Sequence, residues 1–315
     1  GGRKGIHRVV GGELQHLGPK DGFPGERIQA LAQDREGNLW VGGWRDGLIR
    51  VSNGKFRGFG RAAGLPHDTV LAVAEDPQGR LWVGTNEGLA RLDPGGINPL
   101  DGINGQLSAL KEIKDLTWDS QGDLWLSNRR GLFRLHGDKL LPVLNPAGEA
   151  FLGVRVILEA RSGGLWLGTT TGLLRYQKGV VAAISTRELL GQDIFILSLF
   201  EDAAGRVWIG TQGHGLLLLE GGRLRSFTTK DGLPPGSIFR VTEDGDGSLW
   251  IGTGNGLARY KEGRIQAIDQ RHGIKNGSIY QVLLGDKEHL WILGELGFCR
   301  LLRADVLAAL AGRVP

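Results

Sequence analysis

The feature that most constrains this chain is a tryptophan that returns seven times at an almost fixed interval. Trp40, Trp82, Trp125, Trp166, Trp208, Trp250 and Trp291 each follow Leu or Val and precede an apolar residue, at intervals of 42, 43, 41, 42, 42 and 41 residues. Self-similarity at a fixed period is the signature of a repeat architecture, in which one small unit cannot bury its apolar face alone and stacks on copies of itself. The rest of the sequence is spacing between the copies.

Each copy carries strand signals joined by turn chemistry. An apolar run ends in Asp in most copies, as in Ile28 to Asp34, Val70 to Asp76 and Ile238 to Asp244. A Gly three residues later and then the Trp strand read as a tight hairpin. Gly-Thr, a short variable tip and Gly-Leu follow, leading into a third strand such as Gly47 to Val51. A weaker fourth strand is visible at Lys55 to Phe59, Lys139 to Val143 and Arg223 to Phe227. Four strands in a 40 to 45 residue repeat describe a propeller blade. The expected fold is therefore all-β: a seven-bladed β-propeller of four-stranded antiparallel blades forming one domain over residues 1–315.

The ends of the chain predict one blade shared by the two termini. Gly5 to Val9 and Glu13 to Leu17 resemble the second half of a repeat, while Ile279 to Leu301 supplies three strands of one. The count does not balance, because eight Gly-Leu-x-Arg-like strands face seven Trp strands. Either the N-terminal or the C-terminal copy is expected to give way. Ala304 to Ala311 has strong helix formers and a following Gly312, which predicts one short C-terminal helix.

Composition removes several classes. The 54 glycines fall mainly at fixed turn positions, so they punctuate the repeat and do not signal disorder. The formal net charge of +4 is spread through all repeats, whereas a nucleic-acid footprint concentrates basic residues on one face; no nucleic-acid partner is expected. The one cysteine, Cys299, precludes an intrachain disulfide. No apolar run reaches transmembrane length. The chain begins Gly1-Gly2 and lacks Met, so it is read as a fragment of something longer that meets the membrane only through flanking segments.

The repeat E-D-x-x-G-x-L-W-I/V-G-T-x-x-G-L-x-R, seen in Glu75 to Arg91, Glu243 to Arg259 and, with one insertion, Glu201 to Leu217, resembles the two-component regulator propeller family. So does Asp231-Gly232-Leu233-Pro234. The resemblance implies a periplasmic sensor propeller of a bacterial membrane receptor whose output is a histidine kinase or diguanylate cyclase. Three blades depart from the pattern: the third has Ser127-Asn128 in place of Gly-Thr, the fourth has Ala160 in place of the turn Asp, and the seventh reads Leu293-Gly294-Glu295.

In a propeller the turn between second and third strands shares a face with the loop entering the first strand, and that face is the expected ligand site. Its candidate residues are Trp44, Arg45, Arg129, Arg130 and His214 at the tips. Arg155 and Arg240 join them on the first strands, where Asp115 and Gln281 also interrupt apolar runs. An aromatic plane and planar donors suit a sugar or an anionic group. The repeat tryptophans are read as structural.

No local pair among the seven histidines has metal-ligand spacing, and no nucleophile elbow or phosphate loop occurs. Asp244-Gly245-Asp246-Gly247 lacks the remaining ligands of a calcium loop. No metal and no cofactor are expected, and the chain is read as a non-enzymatic ligand-sensing module for an unknown small molecule or glycan. The alternatives are a protein-interaction scaffold that binds a second propeller or receptor partner, and a propeller lyase with a metal/His site.

Overall fold

The computed structural model describes residues 6–10, 13–17, 28–52, 55–100, 110–269, 277–284, 288–294 and 297–312. Each repeat forms an antiparallel meander, as in Val70–Glu75, Leu81–Thr85, Leu89–Asp93 and Gly96–Pro99. Seven such sheets make the fold a seven-bladed β-propeller. Blades 1 to 6 span residues 28–59, 70–99, 115–143, 154–184, 196–227 and 238–268, and blade 7 combines 279–302 with 6–17. All seven repeat tryptophans lie on second strands, as the period requires. The chain divides into two compact units: Pro24–Ile184 carries blades 1 to 4, and Gly1–Phe23 with Ser185–Pro315 carries blades 5 to 7.

The termini do share a blade, but neither Gly-Leu-x-Arg copy gives way. Ile6–Val10 pairs in parallel with Gly297–Leu302, with Ile6 opposite Phe298 and Arg8 opposite Arg300. Glu13–Leu17 then continues the sheet antiparallel. Blade 7 accordingly has five strands, and the surplus copy is absorbed as one extra strand.

The repeat motif resolves into contacts, each with its own role. The hairpin Asp accepts the indole N–H of its own Trp, with Oδ2 at 2.7 Å from Trp40, 2.9 Å from Trp82, 2.7 Å from Trp125, 2.8 Å from Trp208 and 2.8 Å from Trp250. Its other oxygen accepts turn N–H groups, as Asp76 does from Gln78 at 3.0 Å and Arg80 at 2.8 Å. Gly79 closes that turn at φ +82°, a left-handed conformation open to glycine at little steric cost.

The Glu preceding the Asp, or preceding Ala160 in blade 4, reaches back to the previous blade. Glu75 accepts the N–H of Arg35 at 3.2 Å, Glu159 that of Ser120 at 2.8 Å and Glu243 that of Ala203 at 3.2 Å. The Gly after the Trp strand core lets the next blade approach. A Cβ at Gly42 would lie 2.6 Å from Val70, and one at Gly84 would lie 2.7 Å from Ile113. Side chains do not pack at such distances, so the backbone itself forms the wall against the next blade. Blade 3 has Ser127 here, and its hydroxyl is buried without a hydrogen-bond partner.

The apolar core lies between neighbouring blades. Trp40, Leu48, Val70, Leu81 and Val83 join blades 1 and 2, while Trp208, Phe227, Ile238, Leu249 and Tyr260 join blades 5 and 6. The predicted C-terminal helix is present as Arg303–Leu310. Val306 is buried in the cluster that contains Trp250 and Ile279, and Gln266 donates to the Leu310 carbonyl at 3.2 Å. A second, one-turn helix at Arg187–Leu190 was not legible from the repeat.

Candidate functional site

At the end of each blade that carries the tips, the motif Thr acts as a lock. The buried Thr253 hydroxyl donates to the Gly256 carbonyl at 2.8 Å and accepts the N–H of Asn255 at 3.1 Å. Thr169 does the same with Gly172 at 2.8 Å and Thr171 at 3.1 Å. Thr211 donates to Gly215 at 2.6 Å and accepts from the His214 N–H at 3.2 Å. In blade 3 Asn128 takes over, its Oδ1 accepting the Arg130 N–H at 2.8 Å. The departure Ser127-Asn128 therefore preserves turn closure through an Asx-type bond. Blade 1 has Gly43, where a Cβ would sit 2.9 Å from Asp46 Cβ, and the Thr69 hydroxyl donates to the Trp44 carbonyl. Fixed backbones thus carry variable side chains.

The predicted residues meet different surroundings. Trp44 is 41% exposed and Arg45 is exposed beside it. Arg129 is ion-paired, with Nε 2.8 Å from Glu112, and Lys114 approaches the same carboxylate at 3.5 Å. Glu87 is bound by Lys111 at 2.6 Å. The side-chain hydrogen bond and charge of Lys111 hold the Glu87 carboxyl below its ordinary value. The tips of blades 2 and 3 therefore carry matched charges and not a bare cationic arm. Arg130 is exposed on the same tip as Arg129.

His214 has both ring nitrogens engaged: Nδ1 lies 2.9 Å from the Gln212 carbonyl and Nε2 lies 2.6 Å from Gln192 Nε2. A carbonyl only accepts, so Nδ1 carries the proton and Nε2 accepts from the Gln192 amide. Arg155 and Arg240 are not equivalent positions. Arg155 is the extra residue of a bulge between Val154 and Val156, whereas Arg240 follows the corresponding bulge and pairs with Gly252. Asp115 is a stitch between blades, with Oδ2 accepting the Ile157 N–H at 2.7 Å. Trp44, Arg45, Arg129, Arg130 and Arg155 belong to the unit of blades 1 to 4, and His214 and Arg240 to that of blades 5 to 7.

At the tip end of blades 5 and 6, a concavity of about 520 Å³ is lined by Thr229, Leu233, Pro234, Pro235, Asn255 and Asp269. Of these, Asn255 lies on the blade 6 tip, where its N–H is held by Thr253. The entry loop is shaped by a capping box in which Thr228 and Asp231 bond each other's backbone, a signal the sequence does contain as T-x-x-D. Among the described residues, no three His, Cys, Asp or Glu side chains group as a metal site. In the Asp244 to Gly247 hairpin, Asp246 is occupied by Ser248 at 2.6 Å, Arg259 at 2.6 Å and Lys261 at 2.9 Å. Burial opposes ionisation there, but these bonds and the Arg259 charge outweigh it and hold Asp246 well below the ordinary aspartate value.

Four segments, residues 22–45, 64–87, 189–213 and 232–255, match the family model for the two component regulator propeller, each ending at a tip. The chain carries four two-component regulator propeller repeats. The matched segments fall in blades 1, 2, 5 and 6, and the blades outside them are the three whose motifs depart. No curated protein matches this propeller. Among solved structures it is similar to the extracellular domain of a putative hybrid two component system from B. thetaiotaomicron, with TM-score 0.73 and 21% identity over 91% of this chain and 41% of that one. A second such domain from the same organism gives TM-score 0.68 and 22% identity over 87% and 38%. The propeller thus spans less than half the length of either domain. A virginiamycin B lyase from Staphylococcus aureus, solved catalytically inactive with quinupristin, gives TM-score 0.68 and 15% identity over 86% and 93%.

Proposed function

We propose that this propeller is the extracytoplasmic, periplasmic ligand-sensing module of a bacterial signal-transduction receptor, without catalysis of its own. The observation that carries the reading is the two-component regulator repeat in four blades. Likeness to extracellular domains of hybrid two component systems supports it. The tip end of the blades is the proposed site, because the Thr and Asn128 locks hold a fixed backbone there while the exposed residues differ from blade to blade. Each unit offers its own surface for a small molecule or glycan: Trp44 and Arg130 at the tips of blades 1 and 3, and, separately, the Asn255 concavity of blades 5 and 6. Ligand would act on the receptor only through its differential affinity for two arrangements of the propeller and its neighbours.

A glycan and small-anion array followed by calorimetry tests this. A ligand found there loses affinity in Trp44→Ala, in Arg129→Ala/Arg130→Ala or in Asn255→Ala. A hit insensitive to all three refutes the tip-end site, and turnover of the hit by the isolated chain replaces the sensor with an enzyme of the kind that the lyase likeness brings into view.

A further inference from the structure

The opposite end of blades 1 and 2 holds a cleft of about 510 Å³ lined by the turns at Asp34 to Glu36 and Gln78 to Leu81 and by Arg50, Arg57 and Phe59. The third-strand Arg of the repeat lies over its own Trp, at 5.8 Å for Arg50 on Trp40 and 5.7 Å for Arg91 on Trp82. In the other described blades that have it, this Arg is satisfied. Arg91 donates to Asp93 at 2.9 and 3.0 Å, Arg134 to Asp123 at 2.7 Å and Arg259 to Asp246 at 2.6 Å. Arg175 donates to the Leu165 and Tyr176 carbonyls at 3.0 and 3.2 Å.

Blade 1 lacks these partners. Ser52 stands where blade 2 has Asp93, and Asn38 where blade 3 has Asp123. Among the described residues Arg50 has only Glu36 at 3.5 Å, a side chain 79% exposed, and its Nε is buried without a hydrogen-bond partner. Directly across the ladder from Arg50 stands Arg57. The facing residue is Asn98, Leu141, Ala182 and Gln266 in blades 2, 3, 4 and 6. Like charges directly opposite on an antiparallel pair repel. Arg57 is exposed, and its guanidinium rests on Phe59 at 5.1 Å with no carboxylate among the described residues bonded to it.

The acidic groups of the cleft are already engaged. Asp34 binds Trp40 and Asn38, Glu75 binds Arg35, Asp93 binds Arg91 and Asn98, and Glu36 also accepts from Asn38 at 3.1 Å. Arg80 is taken by Asp76 at 2.6 Å. What remains is an Arg50–Arg57 pair with one exposed carboxylate, Glu36 at 3.5 Å from Arg50, for its two positive charges.

We propose that this pair is an oxyanion-binding site for the sulfate or carboxylate group of a small acidic ligand, at the end of the blades opposite the tips. Two planar guanidinium groups present forked donors, and the Arg50 side chain is 35% exposed.

The test is calorimetry at low ionic strength on the intact chain with sodium sulfate, glucose 6-sulfate and glucuronate, with sodium chloride and glucose as controls. At least one of the three anions binds wild type, and Arg57→Gln weakens it about tenfold by removing a charge-assisted contact. Arg50→Lys weakens it as well by removing the planar fork. Arg129→Ala/Arg130→Ala leaves it unchanged, which separates this site from the tips. Response to glucose 6-sulfate alone or to glucuronate alone identifies the group recognised. No heat from any of the three with wild type, or the same isotherm in Arg57→Gln, overturns the assignment.

Discussion

Oδ2 of Asp202 accepts the indole N–H of Trp208 at 2.8 Å, and both side chains are buried. Asp202 also binds Arg206 at 2.7 Å, and Arg206 in turn lies 5.5 Å above the Trp208 ring. Blade 5 has Leu218 where the other blades have the third-strand Arg, so the cation arrives from the Trp strand's own entry.

Asp202→Ala leaves the Trp208 N–H buried without an acceptor and is expected to cost about 1 to 3 kcal/mol. Trp208→Ala removes the indole that fills the core between blades 5 and 6 and costs about 3 to 5 kcal/mol. Urea unfolding followed by circular dichroism measures both. An unchanged midpoint in the first variant contradicts Asp202 as the indole acceptor, and in the second it contradicts Trp208 as a core residue.

Blade 4 offers the reverse experiment. Its hairpin keeps the same backbone bonds, Ala160 N–H to Gly164 O at 2.9 Å and Gly163 N–H to Ala160 O at 2.8 Å, without the Asp. Trp166 is less buried than Trp208, and Arg175 lies 4.8 Å over it. Ala160→Asp supplies the missing acceptor beside that cation and is expected to stabilise by about 1 kcal/mol. A destabilised variant in the same assay contradicts this.

Period and turn chemistry made the blades, the second-strand tryptophans and the shared terminal sheet legible, because each of these is repeated or paired within the chain itself. The roles of Glu75 and Asp76 were not legible: one bonds backward to Arg35 and the other inward to Trp82, and a linear motif does not say which partner a carboxylate faces. The same limit applied at the candidate site. Arg129 read as an anion-binding arm, but Glu112, held at φ +53°, takes its guanidinium. Arg155 and Arg240 read as alike until the bulges put them at different ladder positions. The surplus N-terminal strand carried no sign that it would pair in parallel.

Acid should weaken this fold in a defined way. Burial raises the carboxyls of Asp76 and Asp202, but hydrogen bonds from Trp82 and Trp208 and from Arg80 and Arg206 outweigh it and hold both below the ordinary value of 3.8. The folded state therefore binds fewer protons than the unfolded state near that value, so the stabilisation is present above it and is lost as pH falls through the lower folded values. Urea midpoints should drop as pH falls below the ordinary value of 3.8, and the drop should flatten in Asp76→Asn/Asp202→Asn. An equally steep drop in that variant would assign the acid sensitivity to other groups.

The C-terminal helix should report its own docking. Val306 is 4% exposed, and Arg303 binds Asp244, the Trp250 acceptor, at 2.8 Å. Val306→Ala is expected to cost about 2 kcal/mol from lost methyl burial and the cavity left. Hydrogen exchange within Arg303–Leu310 should quicken before exchange in blade 5 does. Uniform quickening would mean that the helix opens only with the whole unit.

The parallel pairing of Ile6–Val10 with Gly297–Leu302 sets an order of events during biosynthesis. Ile6–Val10 leaves the ribosome before the six blades that separate it from its partner, so it waits through their synthesis with its hydrogen-bonding edge unmatched. Loop closure of that length is slow and entropically costly. Blades built from consecutive residues can form as they emerge, and the terminal sheet is the step that a chaperone, or a competing strand from a second nascent chain, has the longest opportunity to intercept.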